Sequence, residues 1–317
     1  MATNSQELDV PRTPVGTVAR DAVNKFLERM SLTVPERLPR NADLESRVKA
    51  VAQTWPFGDR IRDHIITGTV LAQTSYSHLN IEAQAMVALY TSLMTYIDDP
   101  GVFHATGARD FPQMMCNGAF HCDQGPLGQL ASTLTDMGRH FPSFGTNMIL
   151  SGTMRWFCGE MVCNTAEPSF LIPQSKAFVD YCRYMSGASE AFAAFIWDKA
   201  NFLDESSYIH VFPDVRIYLD HGNDILSFYK EELERDTSSY IYARSRIMNK
   251  TPCETLFELI DEVVAAVERI REHLGECPMR DAWNVFETGY TLFHIGSPRY
   301  RLKEVIFTEY MMDTTTY

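Results

Sequence analysis

Three oxygen-bearing side chains recur at four-residue intervals in the segment from Asn223 to Glu231. They are the amide of Asn223, the hydroxyl of Ser227 and the carboxylate of Glu231. On an α-helix the three side chains drift by only roughly 80° over two turns, so they form one stripe. Hard cations such as magnesium prefer oxygen ligands, and Lys230 would add a positive charge beside a bound phosphate. Taken alone, this spacing is more often the solvated polar face of an amphipathic helix.

A second acidic group, Asp98-Asp99, follows the apolar run 86–97 and precedes Pro100-Gly101. A Pro-Gly pair does not continue a helix, so the two carboxylates are expected at a helix C-terminus. Two carboxylates at the end of a core helix are costly unless they are solvated, paired or bound to metal. Alone, Asp-Asp-Pro-Gly is more often a helix terminator. Together with the Asn/Ser/Glu stripe, it predicts a metal site between facing helices.

Helical periodicity dominates the chain, and strand signals are weak throughout. The pattern predicts an all-α fold with one domain over residues 17–317, preceded by a flexible arm over residues 1–16. The segment between residues 101 and 125 is less regular and is expected to be partly loop. Helices that are apolar on most sides, such as 81–97, belong inside a large bundle, which can enclose an apolar cavity. The predicted helices are 22–30, 81–97, 127–137, 147–163, 176–197, 215–234, 237–248, 253–274 and 279–293.

Composition narrows the classes of protein that fit. The 317 residues carry 41 acidic and 28 basic side chains, a formal net charge of −13, which disfavours nucleic acid as a partner. Seven scattered cysteines without a CxxC pair indicate neither a disulfide framework nor a zinc site. No signal peptide and no apolar run long enough for a membrane span is found, so a cytoplasmic location is expected.

The run Asn223 to Glu231 matches the pattern NDxxSxxKE at every specified position, and this pattern is the metal-binding signature of class I terpene cyclases. The C-terminal stretches 289–294 and 299–302 resemble those of fungal trichodiene synthases. This resemblance implies a single-domain class I terpene synthase bundle with three Mg²⁺ ions. It also implies farnesyl diphosphate as the substrate and a cyclic sesquiterpene, or its alcohol, as the product.

The same resemblance implies roles for particular residues. Asp98 would be the first metal-binding aspartate, and the stripe would bind a further magnesium ion. The family's third acidic residue is replaced here by Val102, which bears on how tightly this arm closes over the diphosphate. The implied metal ligands are Asp98, Asn223, Ser227 and Glu231, and the implied diphosphate-binding residues are Arg183, Lys230, Arg299 and Tyr300.

A carbocation formed by ionisation must be kept from water, and aromatic faces can stabilise it without capturing it. Candidates for such a cavity lining are Trp156, Phe157, Tyr290 and Phe293. Aromatic residues at helical spacing are at least as often ordinary core residues, so this alternative stays open.

Three other functions compete with cyclisation. A prenyl-diphosphate synthase shares the fold and metals but usually carries two aspartate-rich motifs, whereas this chain has Asn/Ser/Glu in place of the second. A catalytically silent helical scaffold has no need of an oxygen stripe together with a distant Arg-Tyr pair. A hydrolase is disfavoured because neither HExxH nor GxSxG occurs. The resemblance also implies a homodimer.

Overall fold

The computed structural model describes residues 15–119, 125–163, 175–306 and 309–310. In these ranges the chain forms fourteen α-helices and no β-strand, so the predicted all-α class is confirmed. Short 3₁₀ turns join several of them. The helices are α1 (Val15–Met30), α2 (Ala42–Ala52), α3 (Arg62–Ser75), α4 (Ile81–Ile97), α5 (Pro100–Thr106), α6 (Phe111–Cys116), α7 (Gly125–Asp136), α8 (Ser143–Cys163), α9 (Lys176–Ser186), α10 (Ser189–Ala194), α11 (Phe212–Glu234), α12 (Tyr240–Met248), α13 (Pro252–Leu274) and α14 (Pro278–Gly296).

Helix α4 lies in the core, as its apolar sequence predicts. The Asn80 side chain caps its first turn by accepting a hydrogen bond of 3.0 Å from the Ala83 backbone N–H. Most of its residues are buried, and it packs against α2, α3 and α7. The helix ends at Ile97, which leaves Asp98 at its C-terminus as expected.

The chain does not become a loop after Asp98. Instead, Asp99 caps the next helix, α5, by accepting backbone hydrogen bonds from Gly101 (2.8 Å) and Val102 (3.1 Å). Pro100 occupies the first turn of α5, where a missing N–H costs nothing. Residues 100–106 and 111–116 are therefore helical, and turns at residues 107 and 117–118 separate or follow these short helices, so the segment is partly irregular as expected.

The predicted helix over residues 176–197 is wrong, because the chain breaks after Ser186. Ala188 adopts a left-handed backbone conformation with φ of 46°, which an α-helix does not allow. The break brings Gly187 against α11, where an added Cβ would overlap the Asp220 carboxylate. The close approach of Gly187 to the buried Asp220 carboxylate therefore determines where the helix breaks. Hydrophobic periodicity does not reveal this break, because it does not report contacts between helices.

Helices α2 and α3 were not predicted from the sequence. A cap signal exists for α2, because Asn41 accepts a hydrogen bond of 3.1 Å from the Leu44 N–H and two acidic residues follow in the first turn. Helix α1 begins at Val15, two residues inside the predicted arm, and residues 1–14 lie outside the described ranges. The domain boundary stays a prediction.

No helix among the described residues has the length and apolar character needed to cross a lipid bilayer. Five cysteines in the described ranges are free thiols, namely Cys116, Cys158, Cys182, Cys253 and Cys277.

Helices α3 and α14 approach each other closely at Gly289. A Cβ at this position would overlap the Thr74 carbonyl group and lie 2.6 Å from the Ser75 Cα, both of which belong to the α3 backbone. Backbone atoms cannot rotate away as a flexible side chain does, so only glycine fits without moving a helix.

We expect Gly289→Ala to lower the free energy of unfolding by about 1–3 kcal/mol through overpacking. Gly16→Ala is the matched control, because the nearest atom to its Cβ would be 3.9 Å away. This control should be neutral or stabilising by up to about 1 kcal/mol, as for an ordinary helical glycine. Urea unfolding of both variants measures the difference, and equal stability would contradict the close packing.

Candidate active site

A cavity of about 220 Å³ lies between α3, α4, α8, α11 and α14, next to the turn that separates α9 from α10. Its apolar lining includes Leu71, Met94, Trp156, Phe192 and Phe293. Its polar lining includes Asp98, Arg183, Asn223, Arg299 and Tyr300. A larger surface groove of about 650 Å³ lies between α2 and α3, but none of the predicted site residues lines it.

Asp98 stands at one side of the cavity, at the C-terminus of α4. Its carboxyl group forms no hydrogen bond or ion pair with the described residues. Burial raises its pKa, Arg299 and Lys230 oppose this rise, and the adjacent Asp99 adds to it. The residue is nevertheless exposed to solvent. A carboxylate that is accessible from the solvent and has no direct protein partner is well suited to receive a cation.

The oxygen stripe of Asn223, Ser227 and Glu231 lies on helix α11, as predicted. Its second and third members are connected by a hydrogen bond. The Ser227 hydroxyl donates a hydrogen bond of 2.5 Å to the Glu231 carboxylate. Burial raises the pKa of Glu231, and the bond from Ser227 opposes that rise. Of the three members only Asn223 lines the cavity; Ser227 and Glu231 follow it along the same helix face.

Asn223 contacts a residue for which the sequence suggested no role. Its amide nitrogen lies 3.1 Å from Nε2 of His294, which is 1% exposed on α14. His294 belongs to the C-terminal stretch that carries the family resemblance. The sequence therefore pointed to this stretch, but it did not indicate that His294 contacts Asn223. Burial lowers the pKa of His294 to about 4, despite a hydrogen bond to the Tyr290 carbonyl that raises it.

Arg183 lies at the end of α9 and is tied to α11 by several interactions. Its Nε donates to Asp224 (2.8 Å), and its Nη2 donates to the Asp220 backbone carbonyl (2.6 Å). Nη1 lies 3.6 Å from the Asp220 carboxylate. Burial raises the pKa of Asp220, and Arg183 is the largest influence opposing that rise. Arg183 therefore borders the cavity as part of a buried ion-pair cluster.

Arg299 and Tyr300 enter the site from a 3₁₀ turn, Pro298–Tyr300, directly after α14. Arg299 is exposed and forms no hydrogen bond or ion pair within the described part of the chain. The Tyr300 ring is buried and packs at 4.4 Å from the His294 ring. Lys230 pairs loosely with Glu234 at 3.5 Å and does not line the cavity, although its charge reaches Asp98.

Three of the four aromatic residues expected around the cavity border it, namely Trp156, Tyr290 and Phe293. Phe157 does not: its ring is fully buried and stacks on Phe111 at 4.4 Å, because it points to the other side of α8. The cavity lining gains Phe192, which sequence analysis missed because the helix break before α10 was not predicted.

The donor atoms available here suit a hard cation. No group of three His, Cys, Asp or Glu side chains is assembled for a metal in the described ranges, so a zinc-type site is not indicated there. The candidates are instead an amide, a hydroxyl and two carboxyl groups, all oxygen donors of the kind magnesium takes. Val102, at the family's third acidic position, has its N–H bonded to Asp99 and does not line the cavity.

A helical bundle with an apolar cavity, an oxygen stripe and an arginine, Arg299, that has no ion-pair partner among the described residues defines a class of enzyme that handles a phosphorylated apolar substrate. The family model of trichodiene synthase matches residues 45–316. The chain belongs to the trichodiene synthase family, and it is a terpene cyclase.

Similar proteins come mainly from fungi. Monoterpene synthase 25 of Postia placenta is 37% identical over 94% of this chain and 90% of its own length. An alpha-cuprenene synthase of Coprinopsis cinerea is 28% identical over 75% of this chain and 73% of its own. A solved germacradien-4-ol synthase from Streptomyces citricolor covers 92% of this chain and 99% of its own, with a TM-score of 0.45 and 15% identity.

The two arginines of the site are expected to differ in their effect on stability. Arg183→Met leaves two buried carboxylates without their main partner, which should cost about 3–5 kcal/mol of unfolding free energy. Arg299→Met removes an exposed cation and should change stability by less than about 0.5 kcal/mol. Thermal and urea unfolding of the two variants checks this. Equal losses would contradict the assignment of Arg183 to a buried cluster.

Proposed function

We propose that this protein is a magnesium-dependent sesquiterpene synthase that ionises farnesyl diphosphate and cyclises the resulting carbocation. The observation that carries this proposal is the juxtaposition of polar and apolar surface in one cavity. Asp98 and Asn223 border it from two helices, Arg183 and Arg299 add positive charge, and apolar side chains form the remaining wall.

The residues that would hold magnesium are Asp98 on one side and Asn223, Ser227 and Glu231 on the other. Support comes from their oxygen donors, from the raised pKa values of the Asp98 and Glu231 carboxyl groups, and from the bond joining Ser227 to Glu231. The resemblance implies three ions. When bound, magnesium supplies Lewis-acid stabilisation of the departing diphosphate.

The chain itself would bind the diphosphate through Arg183, Lys230, Arg299 and Tyr300. Ionisation breaks the bond between the allylic carbon and the ester oxygen and leaves a carbocation and a diphosphate anion. Cationic side chains favour this step because they offset negative charge that grows as the bond breaks. Arg299 is suited to it because its guanidinium has no protein partner in the described ranges.

The carbocation would then react inside the apolar part of the cavity. Trp156, Tyr290 and Phe293 present aromatic surface there, and a ring face attracts a cation without forming a bond to it. Loss of a proton gives a cyclic hydrocarbon, and addition of water followed by loss of a proton gives an alcohol. The homodimer and the cytoplasmic location stay predictions, and the free thiols support the latter.

The test is incubation of the purified protein with farnesyl diphosphate and Mg²⁺, followed by gas chromatography–mass spectrometry of the extract. We expect a dominant cyclic C15 product that disappears with chelator. Asn223→Ala and Glu231→Gln should each lower turnover by at least about 100-fold, because the first removes an oxygen donor for the ion and the second removes the negative charge of another ligand.

Glu232→Gln is the matched control, since it makes the same change on the same helix one residue away from the stripe and should retain turnover. A folded protein that releases no product from any prenyl diphosphate would contradict the proposal. In that case the silent helical scaffold would be the better account.

A ten-carbon substrate, geranyl diphosphate, is the second candidate. The cavity volume of about 220 Å³ lies below the roughly 300–1,000 Å³ that is usual for ligand pockets. The similar protein from Postia placenta is also named a monoterpene synthase. Phe192 narrows this cavity from α10, where its ring packs at 5.9 Å from Tyr90.

Phe192→Ala enlarges the cavity and should raise the ratio of kcat/KM for farnesyl over geranyl diphosphate by about tenfold. Competition assays with both substrates, in the wild type and in the variant, measure this ratio. Phe195→Leu is the control, because Phe195 is fully buried behind the wall and does not line the cavity. An unchanged ratio in Phe192→Ala would exclude cavity size as the selector of chain length.

A further inference from the structure

We propose that His294 is a positioning residue that holds the Asn223 side chain by its NH₂ group and so leaves the carbonyl oxygen on the opposite side to ligate the ion. This inference rests on the proposed function, because it concerns how one ligand of that site is prepared. It also adds a residue, since His294 belongs to neither the oxygen stripe nor the diphosphate-binding set.

The hydrogen bonds of His294 determine which tautomer its ring adopts. Its Nδ1 lies 2.8 Å from the backbone carbonyl oxygen of Tyr290, one turn earlier on α14. A carbonyl oxygen only accepts hydrogen bonds, so the proton of the neutral ring must be on Nδ1. Nε2 then carries a lone pair and faces Asn223 as an acceptor.

This tautomer determines the orientation of the Asn223 amide. Its nitrogen lies 3.1 Å from Nε2 of His294, and an acceptor requires the NH₂ group there. The carbonyl oxygen must point the other way, and it lies 3.5 Å from Nη2 of Arg183.

The orientation of the Asn223 amide decides whether this side chain can ligate the ion. An amide oxygen can ligate magnesium, whereas an amide NH₂ has no lone pair available and would repel a cation. An Asn side chain that turns over by 180° exchanges these groups at little steric cost, so the correct face must be selected by a partner. His294 makes this selection because an acceptor at Nε2 rejects the carbonyl oxygen.

The His294 ring is itself held firmly. It is 1% exposed, and it packs at 4.6 Å from Tyr290 and at 4.4 Å from Tyr300. Both ring nitrogens are occupied by protein groups. His294 is therefore arranged to orient a ligand, as residues behind metal ligands commonly are, and taking a proton from substrate would break one of its two hydrogen bonds.

The test compares metal binding in two variants. His294→Phe keeps a ring of similar volume but removes the acceptor, and His294→Gln restores an acceptor near the position of Nε2. Isothermal titration with Mn²⁺ in the presence of inorganic diphosphate gives the affinity without any turnover. We expect a 10–100-fold weaker affinity for His294→Phe and a loss of less than about threefold for His294→Gln. His78→Phe is the control, because His78 bonds the Ile196 backbone carbonyl and does not line the cavity.

A double-mutant cycle with Asn223→Asp isolates the orienting role. Both oxygens of a carboxylate can ligate, so the orientation no longer matters and the penalty of His294→Phe should shrink to less than about threefold in this background. A penalty that stays the same would overturn the inference. So would wild-type affinity in His294→Phe.

Nitrogen-15 NMR of the wild-type protein tests the tautomer of His294 directly, even if a variant fails to fold. A proton on Nδ1 of His294 is expected, and a proton on Nε2 would overturn the inference while leaving the proposed function intact. Failure of the wild type to bind Mn²⁺ with diphosphate would instead refute the proposed function.

Discussion

The site depends on one buried ion-pair cluster that joins α9 to α11. Arg183 is the cation that α9 contributes, and Asp220 and Asp224 are the anions, each mostly excluded from water. Arg216 of α11 adds a second ion pair to Asp220 at 3.1 Å. Charges in such a place are costly unless they satisfy each other with good geometry, so the end of α9 must meet α11 at this point. The break at Gly187 and the entry of α10, which carries Phe192 into the cavity, follow from this constraint.

The cluster also shapes the electrostatics of the cavity. Asp220 and Asp224 already have cationic partners, so two charged side chains of the cavity lining have no direct partner in the part of the chain that the structure describes. They are Asp98 at the end of α4 and Arg299 after α14. Their opposite charges act on each other, since Arg299 opposes the rise in the Asp98 pKa. A substrate anion with its metal ions would lie between Asp98 and Arg299 and give each an oppositely charged partner. One bound substrate would therefore explain why neither side chain has a direct partner among the described residues.

Helix α14 supports this arrangement from behind. Its Gly289 allows close contact with α3, Glu287 and Thr291 lie near the Tyr218 hydroxyl of α11, and His294 meets Asn223. A chain of buried polar contacts thus ties α14 to the helix that carries the oxygen stripe. Buried hydrogen bonds of this kind penalise displacement, because each unpaired group would lose its partner without gaining water.

Much of this protein could be predicted from its sequence because the relevant signals are local. Helical periodicity identified the core helix α4 and the long helices α11, α13 and α14, and the four-residue spacing placed Asn223, Ser227 and Glu231 on one face. The match to NDxxSxxKE indicated the family that the comparisons confirm. Only the tertiary structure decided the break at Ala188, the burial of Phe157 away from the cavity and the pairing of His294 with Asn223. Each of these depends on contacts between residues distant in the chain, where packing and the cost of burying charge outweigh local periodicity.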